Sequence, residues 1–176
     1  MRIKLRSLTL ALLVLLLPWQ AVAANAERDV LIKELIPKVT VIGDKDEVFP
    51  VWPVYQLNEL IGYAFESNDY VDLTGFSGDR INLLIGLDVG GIVNGVRLLY
   101  HHEPIFLHGL GPPPLLKFLE QYANISTTKR IIVSGAKKTA ADTEADSTLH
   151  LDGVTKATVS VIVINDTILS IVLHDN

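Results

Sequence analysis

The sequence predicts an α+β domain built on an antiparallel sheet with short flanking helices. Two observations carry this. Strand-like runs come in adjacent pairs joined by turn residues, and only two or three short segments carry a helical apolar period. The length, 176 residues with 49% apolar and 20% charged side chains, suits one globular domain with a sizeable core.

The first two dozen residues stand apart from that domain. Arg2, Lys4 and Arg6 form a positive head, Leu8 to Leu17 is an apolar run, and Ala21-Val22-Ala23 follows Pro18. This is the order of a secretory signal peptide over residues 1–23, cut after Ala23 or Ala24. An uncleaved anchor is the alternative, but the run is short for a span of about 30 Å. Residues 24–176 then form a single domain exported to a periplasm. Cleavage would leave 12 basic against 20 acidic residues, a net of −8 in place of −5. That balance argues against a nucleic-acid partner. Cysteine is absent, which excludes disulfide scaffolds, iron–sulfur clusters and a thiol nucleophile.

Glu27 to Lys38 reads as a helix, with Leu31 and Leu35 on one face and Pro37 closing it. Val51–Gln56 and Leu60–Glu66 are strand-like, joined by Leu57-Asn58-Glu59, and Pro53 assigns the first of them to an edge. Asp72–Arg80 is a turn-rich loop. Ile81–Asp88 and Ile92–Tyr100 flank Val89-Gly90-Gly91, a hairpin because paired glycines supply positive φ. Gly109–Pro114 is a stiff connector, Leu115–Tyr122 an amphipathic helix and Ile131–Val133 a brief strand. Lys137–Ser147 is a polar loop. Ala157–Leu173 is rich in β-branched residues, yet too long for one ordinary strand. Val161, Ile164, Ile168 and Val172 fall on a helical stripe, which predicts a helix starting near Thr158.

The chemistry is sparse. His101 and His102 are adjacent on a strand end and point to opposite faces, so they do not share a metal ion. The sequence has no G-x-S-x-G elbow and no G-x-G-x-x-G fingerprint. Ser134–Thr139, SGAKKT, lacks phosphate-loop spacing and reads as a solvated loop. What remains is Asp152-Gly153-Val154-Thr155-Lys156-Ala157-Thr158-Val159-Ser160. Hydroxyls recur here at a helix start, where amides and dipole attract an anion. The same residues also read as an Asp/Thr cap that serves only its own helix.

This segment resembles the flavinylation motif D-x-x-[ST]-G-A-T of FMN-binding domains. Such domains occur in the sodium-pumping NADH:quinone reductase, in the Rnf complex and at the periplasmic N-terminus of NosR/NirI-type regulators. The likeness to the last group extends over about Phe49 to Leu173. It takes in Trp52-Pro53-Val54-Tyr55, Glu59 to Phe65, Thr74-Gly75-Phe76-Ser77-Gly78, Leu84 to Asp88, His101 to Ile105 and Val163-Ile164-Asn165-Asp166, in order.

The resemblance implies covalent FMN, joined as a phosphoester to Thr158 by a periplasmic flavin transferase. Asp152 and Thr155 match the other motif positions, and Ala157 and Ser160 flank the acceptor. The strand end at His102 and Glu103 and the loop from Thr74 and Gly75 to Gly78 are then expected to line the flavin. The implied function is an electron-transfer module of a membrane-associated respiratory chain serving nitrous oxide respiration, with membrane or periplasmic redox proteins as partners. No general base stands out, so a self-contained enzyme is not indicated. Lys156 departs from the pattern, standing where these domains usually have glycine. It is strained there if the position needs positive φ, and its charge suits a phosphate. The other reading is a non-redox sensing or assembly module that binds a protein partner, with FMN structural or absent.

Overall fold

The computed structural model describes residues 25–133 and 148–172. Helix α1 spans residues 25–35. It ends three residues short of the Lys38 expected, because Pro37 disfavours helical backbone at Ile36. Six strands follow in a sheet whose order is that of the chain: β1 (Val41–Ile42), β2 (Val51–Gln56), β3 (Glu59–Glu66), β4 (Asn82–Asp88), β5 (Ile92–Tyr100) and β6 (Ile125–Ser126). All neighbouring pairs are antiparallel. A parallel pair, β7 (Arg130–Val133) and β8 (Thr148–Leu151), lies outside this sheet. The α+β class therefore stands, with β1, β6 and β8 added to the elements legible in the sequence.

Two details of the first hairpin differ from expectation. Its turn is two residues, not three. Leu57 and Asn58 both have positive φ, 49° and 70°, the conformation that joins twisted antiparallel strands most tightly. Strand β2 is not an edge, since β1 pairs with it. The Pro53 carbonyl accepts from the Gly43 amide at 2.8 Å, so the ring nitrogen also faces that side. The two-residue β1 has just ended there and needs no donor. The β4–β5 hairpin forms where expected, but only the second of its paired glycines takes positive φ. Gly91 has φ 74°, and the Asp88 Oδ1 accepts from the Gly90 and Ile92 amides, both at 2.8 Å.

One face of the sheet is closed by α1, whose Ile32 and Leu35, with Ile36 just beyond its end, pack on Trp52, Val54, Ala64 and Leu84. Arg28 of α1 and Lys45 of the β1–β2 connection add cations 4.6 and 4.5 Å from the Trp52 ring centroid, so that Arg28 fastens α1 to β2. The opposite face carries the larger core. There Leu83, Ile85, Val93 and Val96 meet helix α2 (Pro113–Glu120) and helix α3 (Thr158–Val172). Helix α2 begins on Pro113 and Pro114, where missing amide hydrogens cost nothing. Just beyond its end, the buried Tyr122 hydroxyl donates to Asn165 Oδ1 on α3 at 2.8 Å, and burial pushes its phenol above the ordinary range. In α3, Val161, Ile164, Ile168 and Ile171 are buried. Tertiary packing on this stripe overrides the β-branched composition. No helix among the described residues is long and apolar enough to cross a membrane. The Ser134–Thr139 and Lys137–Ser147 expectations, the 1–23 segment and His174 fall outside the described residues.

Leu57 is 82% exposed at φ 49°, so it pays for a left-handed backbone without packing in return. Replacing it by glycine is expected to stabilise the chain by about 1 kcal/mol, read as a higher midpoint in thermal denaturation.

Candidate functional site

The site begins with one carboxylate. After β5 the chain turns through Glu103 and Pro104 into a π-helix, Ile105–Gly109, and the Glu103 carbonyl accepts from the Phe106 and Leu107 amides, both at 3.1 Å. This drives the Glu103 side chain inward, where it is 0% exposed. Its Oε1 accepts from the amide and hydroxyl of Ser77, both at 3.1 Å. Its Oε2 accepts from the Ser160 hydroxyl in the first turn of α3. No basic side chain among the described residues pairs with it. Three hydrogen bonds therefore carry the cost of burying this group, and they tie the 72–80 loop to the start of α3.

The loop is shaped to reach that carboxylate. The Gly75 amide donates to the Asp79 carbonyl at 2.8 Å, Gly78 closes back on Gly75 at 3.1 Å, and Thr74 bridges Arg80. A Cβ at Gly75 would lie 2.1 Å from Glu103 Oε1. Glycine is required here by close approach. The loop so held carries Phe76, 71% exposed, to the rim of the site.

On the other side, the approach to α3 is pinned by Gln121. Its side-chain amide donates to the Asp152 carbonyl at 2.9 Å and accepts from the Asp152 amide at 2.7 Å. The chain then turns at Lys156, whose φ is 72°. The position does need positive φ, so the lysine sits in a backbone region that favours glycine. Ala157 is buried, and Thr158 begins the helix with its side chain exposed. Among the described residues, the side chains of Asp152, Thr155 and Thr158 make no capping hydrogen bond, and the amides of Thr158, Val159 and Ser160 find no acceptor.

These pieces enclose a pocket of about 530 Å³. Phe76, Pro104, Ile105, His108 and Gly109 form one wall, and Lys156 to Ser160 form the other. Of the residues singled out in the sequence, Lys156, Ala157, Thr158 and Ser160 line it. Glu103 and Gly75 lie beneath it, joined to it through Ser160. Asp152 and Thr155 precede it and do not line it, and neither does Thr74. His102 sits on the surface, its Nδ1 2.8 Å from Asp79 Oδ2 and its ring against the Tyr100 hydroxyl. His101 accepts the Glu103 amide on Nδ1 at 3.1 Å, and burial holds its imidazole below the usual range. Among the described residues no group of three or more His, Asp or Glu could hold a metal. Pro104, Ile105, His108 and Gln121 escaped the sequence reading, because their roles arise from the π-turn and from a contact 31 residues apart.

Two outcomes follow from this geometry. Glu103→Ala and Gly75→Ala should each destabilise the chain by about 2–3 kcal/mol. The double variant should lose much less than the sum, because one contact underlies both losses; additive losses in denaturant titrations would disprove the contact. Lys156→Gly should stabilise the unmodified chain by about 1–2 kcal/mol, measured in the same way.

No protein-family model matches the chain. Among curated proteins it is similar to the regulatory protein NosR of Pseudomonas aeruginosa, with 31% identity over 138 residues. It is also similar to the regulatory protein NosR of Stutzerimonas stutzeri, with 36% identity over 112 residues. These alignments take in 78% and 64% of this chain but only 18% and 14% of the relatives. The chain is thus homologous to the regulatory protein NosR over most of its own length, and spans less than a fifth of that protein.

Proposed function

We propose that this chain is an exported, NosR-like flavoprotein domain. In this reading it carries FMN as a phosphoester on Thr158 and transfers electrons in a membrane-associated respiratory chain of nitrous oxide respiration. The observation that carries the proposal is the setting of Thr158. Its exposed side chain opens α3 beside three amides that find no acceptor among the described residues, at the edge of a pocket with one largely apolar wall.

The residues present fit such a group. A phosphate on the Thr158 oxygen would meet the amides and positive dipole end of α3, and Lys156 brings a cation to the same pocket. Phe76, Pro104 and Ile105 offer the apolar wall a flavin ring needs, and about 530 Å³ is within the usual range for small-molecule sites. When bound, the flavin supplies the redox chemistry; the chain's own residues hold and orient it. Glu103 fixes both walls through Ser77 and Ser160. The positive head, apolar run and Ala-Val-Ala of the N-terminus support export to the periplasm, where a flavin transferase would modify the chain. Membrane or periplasmic redox proteins are then its partners, and the acidic surface would steer a basic one.

A second reading has one observation in its favour. Lys156 holds a left-handed backbone where resembling domains have glycine. A domain that binds a protein partner, and does not carry a redox flavin, has no need of a relaxed backbone at that position.

Export of the chain beside an active flavin transferase separates the two. Intact mass should rise by one FMN less water, with fluorescence retained after denaturation, and Thr158→Val should abolish both. An unmodified wild-type chain would leave the partner-binding module standing.

A further inference from the structure

We infer that the uncovered half of the sheet holds a second binding site, for an organic cation with an apolar body such as a quaternary ammonium. Helices α2 and α3 close the face opposite α1 over β4 and β5. Across β2 and β3 the described residues leave the same face open as a groove of about 510 Å³, sharing no residue with the Thr158 pocket.

Its surface is unusually aromatic. Tyr55, Tyr63 and Phe65 form the floor, and the chain's twelve aromatic residues place five in this groove. The other two, Phe49 and Tyr70, rise from segments outside the strands. Tyr70 meets Phe65 edge-to-face with centroids 5.6 Å apart. Phe49 is 64% exposed, yet it is held in place. Asp46 Oδ1 accepts the Val48 and Phe49 amides at 2.8 and 2.7 Å, and the Asp46 amide donates to the Val51 carbonyl at 3.0 Å. An exposed ring on a loop fastened at three points is a prepared contact surface.

Charge selects the ligand. The lining contains one carboxylate, Asp46, and no Lys, Arg or His; the rest is aliphatic or aromatic. The amides of Phe49 and Val48 hold that carboxyl below the usual range. The neighbouring Lys45 turns the other way, its ammonium 2.7 Å from Asp69 and over Trp52 on the α1 face. Several aromatic rings beside one carboxylate, with no Lys, Arg or His among the described residues of the lining, are the chemistry that recognises alkylated ammonium groups. An anion would meet repulsion from Asp46. A neutral ligand would gain nothing from it.

Choline and its uncharged isostere, 3,3-dimethylbutan-1-ol, test this on the full exported chain by calorimetry and by shifts of the tyrosine ring resonances. Choline should bind saturably and about tenfold more tightly than the alcohol, shifting Tyr55 and Tyr63. Phe49→Ala, at an exposed ring, and Asp46→Asn, which keeps an oxygen for the amides, should each weaken choline several-fold without altering the fold. Equal binding of the two probes, absence of saturable binding, or shifts confined to residues outside the groove would overturn the inference.

Discussion

The architecture of the candidate site depends on the burial of Glu103. A carboxylate removed from water without a basic partner is tolerated only if its oxygens are hydrogen-bonded. Here the donors are Ser77 and Ser160, from segments 83 residues apart in sequence but brought together beside the end of β5. Each consequence is local and specific. Ser77 fixes the loop that presents Phe76, Gly75 must lack a side chain, and Ser160 sets where α3 begins. Thr158, two residues earlier, inherits its place from the same bond. A site intended to hold a group in one orientation gains from walls whose positions are set by one buried contact and not by surface loops alone.

The sheet divides the molecule's work. One face is sealed by α1 and by the cations over Trp52, and serves stability. The other is sealed over only part of its width, by α2 and α3. The Thr158 pocket lies at the N-terminal end of α3, where helix amides and a hydroxyl converge. The aromatic groove lies over β2 and β3, where no helix among the described residues reaches. The two concavities differ in chemistry: one joins a cation and free amides to an apolar wall, the other joins a carboxylate to aromatic rings.

Much of this was legible in the sequence where local chemistry decides structure. The Val89–Gly91 turn was readable from its paired glycines, while the Asp88 bonds that fasten it were not, and α3 was readable because its apolar stripe outlasted any ordinary strand. The two-residue strands β1 and β6 carry no periodicity to read. The Leu57-Asn58 turn was hidden because leucine is a poor candidate for positive φ. The conditional expectation at Lys156 was resolved by its φ of 72°, a quantity no residue type announces. Glu103 is expected from the sequence to line the flavin, yet it lies beneath the pocket; its complete burial runs against the habit of glutamates and emerges only when loop, turn and helix meet. Within the loop expected to line the flavin, Phe76 and not Thr74 reaches the pocket rim, a choice that the loop's backbone makes and residue types do not announce.

Homology to NosR reaches most of this chain and little of that protein, so the pocket must be judged on its own chemistry. The most direct measurement is a crystal structure of the chain after exposure to an active flavin transferase. The account predicts density continuous from Thr158 Oγ1 through a phosphate over the first turn of α3, with the ring against Phe76, Pro104 and Ile105. A flavin seated elsewhere, or a bare Thr158 beside an otherwise intact Glu103 contact, would contradict it.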